Sequence, residues 1–135
     1  MDATEFFNRI VRPNYDAIDR NRDEFRSVWN AAVSLNTIAE YLALHRSGYV
    51  AMTEVELSKA ANTIRNDIPQ LGKLNNEVVA LKHVRSLRGV KKQDLPIFSI
   101  LSSTAYLPDV PVTWEKLKQT TEDAFALVSQ LDEFK

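Results

Sequence analysis

The sequence predicts an all-α protein, built as an up-and-down bundle of four to five helices. Glycine occurs only three times in 135 residues, and long segments place apolar residues three and four positions apart, which is the spacing of an amphipathic helix. A length of 135 residues and an apolar fraction of 44% are ordinary for a soluble globular protein. We therefore expect a single helical domain over residues 1–135.

The first two helices are predicted over about 3–19 and from Asn21 to about Arg46. Pro13 should kink the first helix or end its first half, because proline lacks an N–H donor and crowds the preceding turn. Asn21 offers an N-cap to the second helix, and Gly48 is placed to end it. The apolar faces comprise Phe6, Phe7, Ile10, Val11, Tyr15 and Ile18 in the first helix, and Phe25, Val28, Trp29, Ala32, Leu35, Ala39 and Leu42 in the second.

Three more helices follow. Thr53 and Glu56 are spaced as a capping box that opens the third, a fourth is expected to start near Pro69, and the last is expected over about 113–133. Gly72 in the first turn of the fourth helix is slightly unfavourable for helix formation. Their apolar faces comprise Leu57, Ala60, Ala61, Ile64 and Ile68, then Leu71, Leu74, Val78 and Leu81, then Trp114, Leu117, Thr121, Ala124, Val128 and Leu131.

The helical spacing fails between the fourth helix and the last, over residues 90–112. Three prolines, at positions 96, 108 and 111, bracket the apolar residues of this stretch. Prolines at this spacing interrupt a helix, so we predict an irregular or partly extended connection that packs on the bundle.

Residues 82–92, which we call the basic segment, concentrate positive charge. The whole chain has 17 Lys and Arg residues against 18 Asp and Glu residues. The basic segment holds five of the cations, one of the two histidines and no acid, which leaves 12 basic residues (17 − 5) against 18 acidic ones elsewhere. Charge separated in this way can steer an anionic partner to one surface. The candidate anion-binding or nucleic-acid-binding residues are Lys82, His83, Arg85, Arg88, Lys91 and Lys92.

A charged helix end is also commonly no more than a solvated surface. No Phe, Tyr or Trp stands within the basic segment to stack on bases, which argues against sequence-specific recognition of single strands. RNA, another polyanion and a protein partner therefore all stay open as partners.

Several classes of enzyme are disfavoured by the chemistry that the sequence lacks. Without cysteine there is no disulfide, no thiolate nucleophile and no Cys-ligated metal. Neither histidine follows a glutamate by three residues, as the helical di-iron sites require. The sequence also has no Walker-type loop, no Gly-x-Gly-x-x-Gly run and no Gly-x-Ser-x-Gly elbow. We expect no metal, no cofactor and no catalytic residue.

The location is expected to be cytoplasmic, without membrane association. The first five residues, Met1 to Glu5, include two acidic residues and no basic one, whereas a signal peptide begins with basic and then apolar residues. No apolar run approaches the roughly 20 residues that cross a bilayer.

The two histidines have structural and functional interpretations. His83 lies opposite the apolar face of the fourth helix, so it is either exposed beside Lys82 or part of a second contact such as a dimer interface. There it could stabilise a helix C-terminus, bind anions or RNA, or act in catalysis. His45 precedes Arg46 at another helix end and is expected to be structural. Asn36, near the edge of an apolar face, is expected to bond a neighbouring helix.

Three segments of the chain, residues 6–15, 30–36 and 82–84, together resemble a group of small uncharacterised bacterial all-helical proteins. That group is in turn similar to the HEPN superfamily of helical bundles, some of which are metal-independent ribonucleases of toxin–antitoxin and defence systems. The resemblance implies a helical bundle and a tendency to pair.

The resemblance does not extend to the catalytic motif. Catalytic HEPN proteins share an arginine, four to six intervening residues and a histidine on a late helix. The positions required before His83 are held by Asn76, Glu77 and Val78, and none of them is arginine. The positions required before His45 are Glu40, Ala39 and Ile38, so this histidine fails in the same way.

The leading hypothesis is a non-catalytic bundle that acts through self-association, as a homodimer, and through interaction, with the basic segment available to an anionic partner. Apolar residues off the main helix faces, such as Val79, Phe125 and Leu127, favour self-association.

Two alternatives stand beside this hypothesis. The first is a HEPN-type ribonuclease or toxin that uses His83 with Arg85 or Arg88 in an unusual arrangement. The second is a small-ligand sensor in which the connection over 96–111 closes as a lid over an apolar pocket.

Overall fold

The computed structural model describes residues 1–20, 24–82 and 112–135, together with the backbone of 105–107 and 110–111. Within these residues the chain is a helical bundle, as the sequence predicts, with one short antiparallel pair of strands. The helices are α1 (Ala3–Phe6), α2 (Arg12–Asp16), α3 (Glu24–Arg46), α4 (Glu54–Asp67), α5 (Pro69–Lys82) and α6 (Trp114–Val128). A π-helical turn (Phe7–Val11) joins α1 to α2, and a 3₁₀ turn (Asp132–Phe134) follows α6. The strands are β1 (Ala105–Leu107) and β2 (Val110–Val112).

Helix α3 is the central element and packs on all the other helices. Lys118 in α6 reaches Glu24 at the start of α3 (2.9 Å), and Arg46 at the end of α3 reaches Glu133 beyond α6 (2.9 Å). These two ion pairs show that α3 and α6 run in the same direction. The segment from α1 to α2 runs the opposite way, and so do α4 and α5 together, which gives the predicted up-and-down order.

The N-terminal segment accommodates Pro13 without leaving the helix. The N–H of Arg12 bonds to the carbonyl of Phe7, five residues earlier, and α2 begins at Arg12 directly after this wider turn. A turn with one additional residue suits the position before a proline, which has no N–H and crowds an ordinary turn. The changed spacing also explains why Ile10, predicted on the apolar face, is 37% exposed.

Local sequence signals fix the boundaries of the middle helices. Gly48 ends α3 with φ of 72°, a left-handed conformation that glycine adopts at little cost, and Tyr49 follows with φ of 61°. The predicted capping box is present at α4: the N–H of Glu56 donates to the Thr53 hydroxyl (3.2 Å), and the Glu56 carboxylate accepts from the Thr53 N–H (3.4 Å). Helix α5 begins at Pro69, as predicted.

A sharp turn at Ile68 separates α4 from α5 (φ −119°, ψ 87°). It brings Gly72 so close to the end of α4 that a Cβ added there would lie 2.9 Å from the carbonyl oxygen of Arg65. The absence of a side chain at Gly72 therefore permits the close crossing of the two helices, which outweighs the poor helix propensity noted from the sequence.

The core lies between α3 and the helices that surround it, namely the α1–α2 segment, α4, α5 and α6. Stacked aromatic rings extend the core toward the chain ends. Phe7 stacks on Phe134 (ring centroids 4.3 Å apart), and Tyr15 stacks on Phe125 (3.7 Å). Two further predictions, one about an apolar face and one about a helix end, are wrong. Phe25, assigned to the buried face of the second helix, is 53% exposed. The last helix ends at Val128 and not near residue 133.

Candidate functional site

Lys82 is the last residue of α5 and is exposed to solvent. It extends from a firmly packed helix, because Leu71, Leu74 and Val78 on the inner face of α5 are almost completely buried. The structure therefore fixes where the basic segment begins. The other predicted site residues lie outside the described residues; they are His83, Arg85, Arg88, Lys91 and Lys92.

Lys82 lies at the same end of the bundle as the first turn of α6. The two helices run in opposite directions and are joined by the hydrogen bond from Thr120 to Glu77 (3.0 Å). From this bond α5 continues five residues (82 − 77) to Lys82, and α6 runs back six residues (120 − 114) to Trp114. With a rise of 1.5 Å per residue, these are displacements of about 7.5 and 9 Å in the same direction. We call this the Trp114 end of the bundle.

Three aromatic side chains meet at the Trp114 end. The ring of Trp114 lies 5.7 Å from that of Phe25, at an interplanar angle of 45°, and 6.1 Å from that of Trp29, edge to face at 85°. Phe25 and Trp114 border an open cavity of about 50 Å³, which we call the aromatic notch. The remaining residues that line it are Glu24, Val28, Glu115 and Lys118.

Some polar groups around the aromatic notch have hydrogen-bond or ion-pair partners among the described residues, and others have none. Lys118 pairs with Glu24 at 2.9 Å and lies 3.9 Å from Asp19, and the hydrogen bond to Glu24 raises the pKa of Lys118. Glu115 is exposed and makes no ion pair with a described residue. The indole Nε1 of Trp114 is buried and has no hydrogen-bond partner among the described residues.

Glu77 is a buried carboxylate beneath this end of the bundle. It is 3% exposed; Oε1 accepts the Thr120 hydroxyl, and Oε2 is buried with no partner among the described residues. Burial raises the pKa of Glu77 above its ordinary value, although the Thr120 hydrogen bond and the charges of Lys73 and Lys116 act in the opposite direction.

Sequence analysis did not identify Glu77 or the aromatic notch. Glu77 stands three residues after Leu74 and four before Leu81, so the helical spacing alone would have placed it on the inner face of α5. No comparable signal exists for the notch, because Phe25 and Trp114 are 89 positions apart (114 − 25) and meet only through the parallel packing of α3 and α6.

A second polar cluster joins α4 to α3. Arg65 is 7% exposed, and its Nη2 donates to the Asn36 carbonyl oxygen (3.1 Å) and to Glu40 Oε1 (2.9 Å), while Nη1 donates to Asn62 (3.2 Å). The prediction that the Asn36 side chain bonds a neighbouring helix is not confirmed, because Asn36 accepts through its main-chain carbonyl and its side-chain Oδ1 is buried with no partner among the described residues. Arg65 thus serves as a buried tie between two helices, and its ion pair is internal to the bundle.

The other residues singled out from the sequence have local roles. His45 Nδ1 lies 3.2 Å from the Tyr49 hydroxyl, beside the turn that ends α3, which agrees with a structural role. Phe125 packs inside the molecule on Tyr15, whereas Val79 and Leu127 are 43% and 39% exposed. Over residues 1–20, 24–82 and 112–135, no group of three metal-binding side chains is found.

Comparison with protein-family models, curated proteins and solved structures gave no match to this chain. None of the helices in the described part is long and apolar enough to cross a membrane.

Proposed function

We propose that this protein is a cytoplasmic, HEPN-like binding module that engages RNA or another polyanion through the basic segment. The observation that carries the proposal is the separation of charge: residues 82–92 hold five cations and no acid, while the rest of the chain has 12 basic and 18 acidic residues. The exposure of Lys82 at the end of a well-packed helix supports it, since the first of these cations faces solvent.

Binding without catalysis is part of the proposal. Positions 76–78 are those at which the HEPN motif requires an arginine, and this chain has Asn76, Glu77 and Val78 there. Glu77 and Val78 are 3% and 1% exposed. Because these two side chains face the interior of the bundle, an arginine at either position would be buried away from any substrate.

Self-association completes the proposal. Val79 in α5 and Leu127 in α6 are large apolar side chains exposed on helix surfaces, and a dimer would remove them from water. Light scattering coupled to size exclusion measures the mass directly. We expect a dimer that Val79→Asp weakens; a monomer across the accessible concentrations would contradict this part.

The experiment that tests RNA binding is fluorescence anisotropy of a labelled single-stranded RNA at low and moderate salt. Each phosphate contact that is lost should reduce the slope of log affinity against log salt by roughly 0.7. We therefore expect the triple variant Lys82→Gln, Arg85→Gln, Arg88→Gln to lower the slope by about 2 and to weaken binding at low salt.

A matched control removes three cations elsewhere: Arg9→Gln, Lys59→Gln and Lys135→Gln. These side chains are exposed, and the substitution changes the net charge by the same amount. Equal weakening by both triple variants would show that net charge, and not the basic segment, governs binding.

A gel of the same samples tests the ribonuclease alternative. If the gel shows shortened RNA with the native protein but not with His83→Ala, the protein is a ribonuclease and the proposal of binding without catalysis is wrong.

A further inference from the structure

The aromatic notch is formed where α3 and α6 begin. Because these two helices run in the same direction, their first turns lie side by side at the Trp114 end of the bundle. In each helix the lining residues stand at the first, second and fifth positions, which share an arc of about 100° on the helix surface. They are Glu24, Phe25 and Val28 in α3, and Trp114, Glu115 and Lys118 in α6.

We propose that the aromatic notch binds a quaternary ammonium head group, such as the trimethylammonium group of choline or of a trimethylated lysine. This inference goes beyond the proposed function, because it involves no residue of the basic segment and a ligand of the opposite charge. A notch of about 50 Å³ has room for roughly three to five groups the size of a water molecule. That space suits one nitrogen with its methyl groups, and the rest of the ligand would stay outside.

Two aromatic rings supply the attraction for a cation. Phe25 and Trp114 both line the notch, with ring centroids 5.7 Å apart and planes tilted by 45°. An ammonium group that contacts both rings therefore lies within the roughly 6 Å of each centroid over which a ring face attracts a cation. Phe25 is 53% exposed and so remains accessible, and Trp29 packs edge to face on Trp114 and holds the indole in place.

The charge that remains unpaired at the notch is negative. Lys118 is paired with Glu24 at 2.9 Å, whereas Glu115 is exposed and without an ion partner among the described residues. Glu115 lies in the first turn of α6, where the helix dipole favours its ionised form. The other cations of these turns, Arg26 and Lys116, are engaged in contacts of their own and do not line the notch. Glu115 therefore offers a carboxylate beside the two rings.

The lining of the notch favours a methylated ammonium over an unmethylated one. Phe25, Val28 and Trp114 present mainly carbon to the notch, so an ammonium with N–H groups would lose bonds to water that these side chains cannot replace. A quaternary ammonium has no N–H group, and its methyl groups suit an apolar lining. The combination of aromatic rings with one free carboxylate thus selects for a cation that does not need hydrogen bonds.

Intrinsic fluorescence gives a direct test, because Trp114 lines the notch and the other tryptophan of the chain, Trp29, is in contact with it. The protein is titrated at constant ionic strength with choline chloride and with the neutral isostere of choline, in which a tert-butyl group replaces the trimethylammonium group. We expect choline to change the emission to saturation. Because cation–π attraction amounts to about 0.5–2 kcal/mol, the isostere should bind roughly 2- to 30-fold more weakly.

Two variants and two matched controls locate the effect. Phe25→Ala should weaken choline binding by roughly the same 2- to 30-fold, whereas Tyr49→Ala, at a similarly exposed aromatic residue (51%) at the far end of α3, should not. Glu115→Gln should weaken choline binding by roughly 2- to 5-fold and leave the isostere unchanged. Glu54→Gln is its control, because Glu54 is an exposed glutamate in the first turn of α4, at the opposite end of the bundle.

The source of the head group is tested with a neutral peptide that carries one trimethylated lysine and with the same peptide unmethylated. Tighter binding of the methylated peptide than of choline would support a protein side chain as the ligand, and equal binding would support a free small molecule.

Three results would overturn the ammonium site: no saturable change in emission with choline, equal affinities for choline and its isostere, or equal weakening by Glu115→Gln and Glu54→Gln. The first two use the unaltered protein, so they stand even if a variant fails to fold. None of the three bears on binding of RNA by the basic segment, so this inference and the proposed function can fail separately.

Discussion

Replacing Thr120 by valine removes one hydroxyl from the interior and leaves the shape of the side chain almost unchanged. In the native protein this hydroxyl donates to Glu77 Oε1 at 3.0 Å, and Glu77 Oε2 has no partner among the described residues. After the substitution, a carboxylate that is 3% exposed would have lost its one side-chain hydrogen bond to α6. A hydrogen bond to a charged group contributes about 1.5–3 kcal/mol, so we expect this loss in the free energy of unfolding at pH 7.

The loss should depend on pH. Burial raises the native pKa of Glu77 above the ordinary value of 4.5, and the Thr120 hydrogen bond limits that rise. Below pH 4.5 the group is protonated in both the native and unfolded states, and the bond is one between neutral groups, worth about 0.5–1.5 kcal/mol. As pH rises from 4.5 through the native pKa, the unfolded state ionises first and native stability falls, by at most about 1.4 kcal/mol per pH unit. Thr120→Val should extend this fall.

Urea unfolding at pH 4 and pH 7, followed by far-ultraviolet circular dichroism, measures both effects. Thr121→Val is a close control, because the Thr121 hydroxyl donates within α6 to the Leu117 main-chain carbonyl (2.7 Å) and not to a carboxylate. It should cost the same at both pH values. The change in unfolding free energy that Glu77→Gln causes, measured against the native protein, should be more favourable at pH 7 than at pH 4, because the variant carries no buried charge at either pH. A Thr120→Val loss below about 0.5 kcal/mol, the lower end of the typical energy of a hydrogen bond, would refute the account of Glu77 as a buried charge that depends on this bond. A loss that is the same at pH 4 and pH 7 would refute it equally.

Two further predictions concern the crossing of α4 and α5. Gly72→Ala should destabilise the protein by about 0–2 kcal/mol. A Cβ 2.9 Å from the Arg65 carbonyl oxygen should cost about 1–3 kcal/mol in overpacking, against a gain of about 1 kcal/mol in helix propensity. If thermal unfolding shows that the variant is more stable by that full gain, the close crossing is contradicted. Arg65→Met should cost about 1–3 kcal/mol, because it leaves Glu40 without its ion partner, and urea unfolding with a loss under about 0.5 kcal/mol would show that Arg65 does not join the helices.

The parts of the fold that follow from neighbouring residues could be predicted from the sequence. Thr53 with Glu56, Gly48 and Pro69 act through their own backbone bonds and conformations, so their effects need no knowledge of the remaining chain. The π-helical turn before Pro13 was missed, because a wider turn is one of several ways to accommodate a proline.

The site is less predictable, because its residues meet only after the helices pack. Helical spacing placed Phe25 on the buried face of α3, but the face that α3 buries turns with the positions of its neighbours, and Phe25 lies at the end where that packing stops. Glu77 shows the converse case. The helical spacing places it on the inner face of α5, but glutamate is rarely buried in proteins. Spacing therefore predicted burial while the residue type predicted exposure, and the structure shows burial.

The contact between the first helical segment and the last turn has a consequence for the order in which the chain can fold during synthesis. The Thr4 hydroxyl donates to the Glu133 carbonyl (3.1 Å) across 129 positions of sequence, and Phe7 stacks on Phe134. At roughly 5–20 residues per second, the ribosome adds the 127 residues that follow Phe7, up to and including Phe134 (134 − 7), in roughly 6–25 s. Throughout that interval α3 can already cover the side of the N-terminal segment that packs on Tyr41, but the side that Phe134 covers has no partner. Chaperones therefore have time to bind that side, and a chain interrupted before α6 should aggregate.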